Sequence, residues 1–200
     1  MISTYQDKYS PTSLTLFMRS PFASWMNRFA LECPGKAPEK DPEDGLLNVL
    51  QNRGLGHEKV QEALFQSQGL SVQKIEAANR ELKKQATLQA MKNGVDVIVQ
   101  AYLEKGEFFG YADFLVKVPG QSELGDYHYE VWDTKLSNKT KPEFIIQLCC
   151  YSDMLSAMQG RLPDSVVVVL GSGEQNRFNL IDYVYYYCAL KENFLIFQYG

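Results

Sequence analysis

The chain has 200 residues, of which 45% are hydrophobic and 22% are charged, and its formal net charge is −4. This composition is that of an ordinary globular domain, and no run of about 20 apolar residues predicts a membrane span. The net charge does not indicate a nucleic-acid-binding protein, although a local basic stripe is compatible with it.

The N-terminus favours a cytoplasmic protein, and a length of 200 residues without a flexible joint favours a single domain over residues 1–200. The segment from Met1 to Asp7 lacks the basic start and apolar core of a secretory signal. The four cysteines are too few and too irregularly spaced for a disulfide framework or a zinc site. We expect them to be buried free thiols: Cys33, Cys149, Cys150 and Cys188.

Helical patterns occupy the first half of the chain. Ser10-Pro11 is typical of a helix start, and a second short helix is predicted from Phe22 to about Leu31. Prolines, glycines and acids from Pro34 to Gly45 indicate an exposed loop. Helical patterning resumes at Leu46, breaks near Gly69, and gives a further helix over residues 80–93.

The pattern then becomes that of strands. Three are predicted, and the first of them could instead extend the preceding helix: Val95 to Tyr102, Phe108 to Val118, and Tyr127 to Thr134. Gly106 and Pro119-Gly120 supply the turns between them.

The last third of the chain completes an α/β core. It contains a helix over Lys141 to Gln159, an apolar strand over Val166 to Leu170, a possible strand over Phe178 to Ile181, and an aromatic segment, Tyr183 to Phe197, that fits either a helix or a strand. A strand meander, a helix and a buried strand, flanked by further helices, indicate a mixed central sheet between helices.

Two acids and a lysine on neighbouring predicted strands are suited to metal-assisted chemistry. Asp133 and Lys135 lie two residues apart, so both side chains leave the same face of a strand. A buried carboxylate needs a compensating cation, and Mg²⁺ held by Asp133 and by Asp113 of the preceding strand would provide it. Lys135 would then stabilise charge on an attacked phosphate. The alternative is an Asp–Lys ion pair on an exposed strand face.

Three other polar side chains are candidates with a packing alternative. Gln147 and Tyr151 lie four residues apart on one helical face, where they could bind a nucleic-acid backbone or brace Lys135. His57 shares a predicted helical face with Val60 and Leu64, so it is expected to point inward as a core residue or a metal ligand. His128 is interpreted as structural.

Taken together, these residues resemble the RecB-type branch of the PD-(D/E)xK nucleases from about Tyr9 to Asp182. The resemblance is carried by the order and predicted element type of several pieces: Ser10-Pro11-Thr12-Ser13-Leu14 with Phe17 and Ser20-Pro21, Gly56-His57, Gly110-Tyr111-Ala112-Asp113, Asp133-Thr134-Lys135, and the helix containing Gln147 and Tyr151. It implies a restriction-endonuclease-like core.

The resemblance also implies an activity and a division of roles. The chain would be an Mg²⁺- or Mn²⁺-dependent DNA nuclease, exonucleolytic on ends or single strands. It would act alone or as a module of a larger protein with a helicase or another repair or recombination partner. Its metal ligands would be His57, Asp113, Asp133 and the carbonyl of Thr134, its catalytic residues would include Lys135, and Gln147 and Tyr151 would be accessory.

Two further expectations follow. Some relatives hold an iron–sulfur cluster through one early and three late cysteines, but here Ser20 precedes Pro21 and only Cys188 follows the Gln147 helix, so no cluster is predicted. The alternative function is a catalytically inactive DNA- or protein-binding module of the same fold, because fold does not fix function. No GxSxG, P-loop or HExxH pattern supports another hydrolase class.

Overall fold

The computed structural model describes residues 8–38 and 45–199, with side chains in the second stretch from residue 53 onward. Six helices and six strands follow one another in the described chain. They are α1 (Pro11–Arg19), α2 (Pro21–Glu32), α3 (Gly45–Ser67), β1 (Val72–Lys74), α4 (Arg80–Lys92), β2 (Val97–Lys105), β3 (Phe108–Ser122), β4 (Gly125–Lys135), α5 (Pro142–Gln159), β5 (Ser165–Leu170), β6 (Gln175–Asn179) and α6 (Ile181–Tyr199).

The strands form one mixed sheet in the order β1-β2-β3-β4-β5-β6. β2, β3 and β4 are an antiparallel meander, whereas β1 lies parallel to β2 and β5 lies parallel to β4. The parallel pair β4–β5 is joined through α5, since parallel neighbours need a long crossover. The predicted α/β architecture, a mixed sheet flanked by helices, is therefore confirmed.

Each face of the sheet buries a separate apolar cluster. The larger one joins side chains of α1, α4, α5 and α6 to one face, and includes Leu14, Met91, Leu148 and Phe194. On the other face Phe65 of α3 packs against a smaller cluster from the four central strands. The candidate chemistry lies where β3, β4, α3 and α5 approach one another.

Serine caps explain the starts of the first two helices. Ser10 and Ser13 form a capping box at α1, and the Ser20 hydroxyl accepts a hydrogen bond from the backbone N–H of Ala23 at 3.1 Å to cap α2. Proline follows each cap at the first helical position. These starts confirm the helix predicted from Ser10-Pro11 and the second short helix predicted from Phe22 to about Leu31.

Some element predictions were wrong in detail. Pro119-Gly120 lies inside β3, where the β3–β4 register shifts, and the hairpin turn follows Ser122 instead. Proline has no N–H to donate, so an irregular position in the pairing accommodates it. The segment after α4 is a strand, and residues 183–197 belong to a helix, which resolves two open alternatives. The three-residue strand β1 was not predicted.

Several expectations concern residues outside the described part of the chain, namely those on Met1 to Asp7 and on the acidic stretch of the loop before Gly45. Of the four free cysteines, Cys149 and Cys150 are buried as expected, but Cys33 is only half-buried and Cys188 is exposed. No helix among the described residues is long and apolar enough to cross a membrane.

Candidate metal and catalytic site

Two aspartates face each other where β3 and β4 separate. The last paired residues of the two strands are Phe114 and Trp132, so Asp113 and Asp133 occupy the next opposed positions. The Asp113 carboxylate bridges the gap, because its Oδ2 accepts hydrogen bonds from the Thr134 backbone N–H at 2.9 Å and from the Thr134 hydroxyl at 3.1 Å. The structure thus brings Asp113, Asp133 and Thr134 together.

The point where β3 and β4 separate is here called the fork, and Lys135 connects it to α5. Its Nζ lies 2.7 Å from Asp133 Oδ2 and donates a hydrogen bond to Gln147 Oε1 at 3.0 Å. The contact with Asp133 is a close ion pair, and Asp133 Oδ2 has no partner other than Lys135 among the described residues. The alternative made from the sequence was therefore half right: the ion pair exists, but Asp133 is only 3% exposed rather than on an open face.

Tyr151 lies one helical turn after Gln147 and packs below β3. Its ring explains Gly110, because a Cβ at that position would stand 2.8 Å from Tyr151 Cε1 and 3.1 Å from Pro11 Cδ. Tyr151 is 7% exposed, and burial raises the pKa of its hydroxyl, with Asp133 and Asp113 adding to the effect. The Tyr151 hydroxyl is therefore neutral, and its buried ring lines the site.

Helix α3 brings His57 toward the site, but not by the predicted face. Val60 and Leu64 are 67% and 43% exposed, whereas Gln61 and Phe65 are buried. The contact of Phe65 with the rings of Phe114 and Trp132 sets this orientation. His57 still points inward, and its buried Nε2 has no hydrogen-bond partner among the described residues.

Glu58 and Gln100 belong to the same neighbourhood, and sequence reasoning missed both. Gln100 of β2 donates a hydrogen bond from Nε2 to Glu58 Oε2 at 3.0 Å. By the β2–β3 register, Gln100 stands opposite Asp113. The available signals were an acid directly after His57 and a single amide in the apolar run of β2.

Gln100 interrupts β2 with a left-handed backbone. Its φ is 54°, the one positive φ of a non-glycine among the described residues. The side chains of Ile98 and Ala101 both join the larger core cluster, whereas Val99 joins the smaller one, so the alternation of faces is broken at Gln100. Such a conformation costs about 1–3 kcal/mol and is concentrated at functional sites.

The carboxyl groups of Glu58, Asp113 and Asp133 all have raised pKa values. Burial, and then the charge of Asp113, raises the pKa of Glu58 to about 7. Burial also raises the pKa of Asp133, and the nearby Asp113 charge adds to this despite Lys135. The pKa of Asp113 is raised by burial against the hydrogen bonds of Thr134. Asp113 itself keeps an intermediate exposure.

These residues fit a hard divalent cation in type and charge, although they do not converge on one point. Carboxylate oxygens are the preferred ligands of Mg²⁺, and a neutral imidazole can complete a Mn²⁺ shell. His57 Nε2 is buried without a hydrogen-bond partner in the described chain, and Asp133 Oδ2 has only the Lys135 ammonium beside it. However, no three His, Cys, Asp or Glu side chains in residues 8–38 and 53–199 are grouped to hold a metal ion. Each aspartate is directed to Thr134 or Lys135 instead.

Other candidates lie apart from this site. His128 is 1% exposed and stands beside Gly120.

Comparison of the chain with protein-family models and with curated proteins finds no match. The site therefore has to be interpreted from its own geometry and charges.

Proposed function

We propose that this chain is a metal-dependent nuclease that hydrolyses phosphodiester bonds in DNA, built on a restriction-endonuclease-like core of the RecB type. The observation that carries the proposal is the fork of β3 and β4. It places Asp113 opposite Asp133, with the Lys135 ammonium 2.7 Å from the second carboxylate and bonded to Gln147 of α5. Carboxylates that can hold a metal ion, with a positive group beside them, are groups that metal-assisted phosphodiester hydrolysis uses.

The residues divide into binding and reacting roles. Asp113 and Asp133, with Glu58, His57 and the carbonyl of Thr134, would hold Mg²⁺ or Mn²⁺. When bound, the ion supplies Lewis-acid activation of a phosphoryl oxygen and lowers the pKa of a water. The net reaction adds water to phosphorus and breaks one P–O bond to a deoxyribose, which leaves a phosphomonoester and an alcohol.

Lys135 supplies the fixed positive charge of this mechanism. A positioned ammonium stabilises the negative charge that develops on the phosphoryl oxygens in the transition state, and it can orient the attacking water. Its bond to Gln147 and its position 5.3 Å from the centroid of the Phe144 ring restrict where that charge can lie. Tyr151, fixed beneath Gly110, keeps α5 and therefore Gln147 at a constant distance from the sheet.

Action on DNA ends or single strands, and a helicase or other repair partner, remain part of this proposal through the resemblance to RecB-type nucleases. Circular single-stranded DNA distinguishes attack that needs an end from attack within a strand. An enzyme that needs ends degrades linear single-stranded DNA and leaves the closed circle of the same sequence intact.

The proposed activity is tested by incubating end-labelled and internally labelled DNA with the protein in Mg²⁺, Mn²⁺ or EDTA. Wild type is expected to release label only with a divalent ion, and Asp133→Asn and Lys135→Met are each expected to lose at least about 10²-fold of the rate. Asp182→Asn, at an exposed position in the first turn of α6, is the matched control and is expected to keep full activity. Equal rates for Asp133→Asn and wild type would refute the proposal.

A catalytically inactive binding module is the second candidate, and one observation favours it. The Asp133–Lys135 ion pair partly satisfies both charges without any metal ion. On this alternative, wild type binds DNA or a protein partner, digests nothing in Mg²⁺ or Mn²⁺, and shows no change in unfolding temperature with either ion.

A further inference from the structure

Helix α3 presents a polar side chain to the sheet and apolar side chains to the solvent. Gln61 is 4% exposed and lies on the inner face, one turn before Phe65, whose ring packs against Trp132. Val60 and Leu64 are exposed on the outer face. A helix that only fills a core buries its apolar face, so the inner face of α3 is arranged for more than packing.

Two N–H donors in the interface between α3 and the sheet have no acceptor. Gln61 Nε2 and Trp132 Nε1 are buried and form no hydrogen bond with any described residue. Trp132 is the last residue of β4 paired with β3 before the fork, and Gln61 lies one helical turn after His57. A buried donor without an acceptor destabilises a fold, and native structures leave few of them. Two such donors beside the proposed metal site therefore need a specific explanation.

The missing partner of both donors is an acceptor that the protein does not supply. An indole N–H only donates, and so does an amide nitrogen. The carboxylates of the site contact Thr134, Lys135 and Gln100 instead. A phosphodiester presents two non-bridging oxygens that only accept, and its negative charge strengthens the hydrogen bonds. A phosphate of the DNA backbone is therefore the ligand that these two donors fit.

The other flank of the Trp132 ring is already satisfied. The Arg177 guanidinium carbon lies 5.9 Å from the ring centroid, and its Nη1 pairs with Glu130 at 2.5 Å. The indole N–H, and not a free cation, is therefore the group of this flank that remains for a ligand.

Few contacts hold α3 against the sheet. Phe65 is the one buried hydrophobic side chain of α3 among residues 53–67, and Glu58 accepts a hydrogen bond from Gln100 at 3.0 Å. A segment with few buried apolar contacts opens at a low free-energy cost. Both donor atoms are shielded from solvent, so a ligand reaches them when α3 lifts from the sheet.

We propose that Gln61 and Trp132 bind a non-bridging oxygen of the DNA backbone next to the scissile phosphate, after α3 lifts from the sheet to admit the strand. This inference rests on the proposed function for the identity of the substrate, but the binding it describes does not require hydrolysis. Gln61 and Trp132 are substrate-binding residues in it, and Phe65 is a positioning residue that holds α3 over the sheet.

The test compares Gln61→Met with Gln66→Met, the same change at an exposed position of α3. Methionine keeps the length of the side chain and removes the donor. Because the lost donor is unsatisfied in the free protein, Gln61→Met is expected to raise the midpoint of urea unfolding by about 0.5 M. It is also expected to weaken binding of a labelled single strand about 10-fold, measured by fluorescence anisotropy in Ca²⁺ and in EDTA. Gln66→Met is expected to change neither quantity.

Trp132 has a spectroscopic readout of its own. The chain contains two tryptophans, and Trp25→Phe, at a 44% exposed position of α2, leaves Trp132 as the only one. The emission of a buried indole is expected to shift to longer wavelength when α3 lifts and the N–H donates to a phosphate. The shift is expected to saturate at the same strand concentration as the anisotropy.

Three results overturn the inference. If Gln61→Met binds the strand as tightly as Gln66→Met, or if wild type binds no strand, the donors serve at most an ordered water. A less stable Gln61→Met would show that the amide has a partner within the fold. Unchanged emission of Trp25→Phe at a saturating strand concentration would remove Trp132 from the binding site.

The same variants distinguish this inference from the proposed function. A wild type that hydrolyses DNA at the same rate and with the same affinity as Gln61→Met keeps the proposed function and refutes the binding role. A wild type that binds the strand through Gln61 but hydrolyses nothing in Mg²⁺ or Mn²⁺ keeps the binding role and refutes the nuclease.

Discussion

Glu58 has a carboxyl group whose ionisation opposes folding. Its pKa is raised from 4.5 to about 7, chiefly by burial and then by Asp113. An acid with a raised folded pKa destabilises the fold when it ionises, so the cost is absent below pH 4.5, grows between pH 4.5 and 7, and is complete above pH 7. In EDTA, Glu58→Gln is therefore expected to raise the free energy of unfolding by about 1 kcal/mol at pH 8, after allowance for solvent screening, and by much less at pH 5.

Urea unfolding of wild type and Glu58→Gln at both pH values measures this difference. Glutamine can still accept the hydrogen bond from Gln100, so the comparison isolates the charge. An equal stability gain at pH 5 and pH 8 would contradict the assigned cause.

Two glycines are expected to respond oppositely to alanine. A Cβ at Gly110 would stand 2.8 Å from Tyr151, whereas a Cβ at Gly56 of α3 meets no atom within 4 Å. Gly110→Ala should lower the free energy of unfolding by about 1–3 kcal/mol through overpacking. Gly56→Ala should raise it by about 0.5–1 kcal/mol through lower chain entropy. Urea unfolding checks both, and a neutral Gly110→Ala would show that Tyr151 is not fixed there.

Individual residues differ in how far the sequence could predict their place. Asp133 and Lys135 share a strand face by simple alternation, so their pairing follows from spacing. Glu58 and Gln100 could not be found in that way. The orientation of α3 depends on Phe65 meeting the rings of β3 and β4, which is a tertiary contact. The sequence pattern around Val60 and Leu64 therefore predicted the wrong face.

At the scale of the elements, a left-handed backbone at Gln100 interrupts strand β2. A left-handed φ of 54° is strained for a side chain branched at Cβ and relaxed for glycine. Gln100→Val is expected to lower the free energy of unfolding by about 1–3 kcal/mol. Gln100→Gly should change it by less than about 1 kcal/mol while removing the hydrogen bond to Glu58. Gln73→Val, at an exposed position of β1, is the control and should stay within about 0.5 kcal/mol.

Urea unfolding of these three variants measures the strain directly. Equal destabilisation by Gln100→Val and Gln73→Val would mean that the left-handed backbone carries no cost at this position.

At the element scale the helices with serine caps were predictable, because Ser10 and Ser20 act within one turn. The end of β3 was not, because the register shift after Pro119 depends on pairing with β4.

At the scale of the whole molecule, the acidic site predicts that divalent ions stabilise the fold. An ion that binds only the folded state adds about 2.7 kcal/mol at a concentration 100 times its Kd. For a chain of 200 residues this corresponds to a rise in Tm of about 5–10 °C. Thermal unfolding in Mg²⁺ and in EDTA tests it, with the rise kept in Asp182→Asn and lost in Asp113→Asn. An identical rise in both variants would place the ion elsewhere.

The central claim is that Asp113 and Asp133 share a divalent ion, and an Mn²⁺ soak with anomalous diffraction tests it most directly. The account predicts an anomalous peak between the two carboxylates, with Asp133 Oδ2 moved from Lys135 to the ion. No peak at saturating Mn²⁺, with the Thr134 and Lys135 contacts of the two aspartates unchanged, would contradict it.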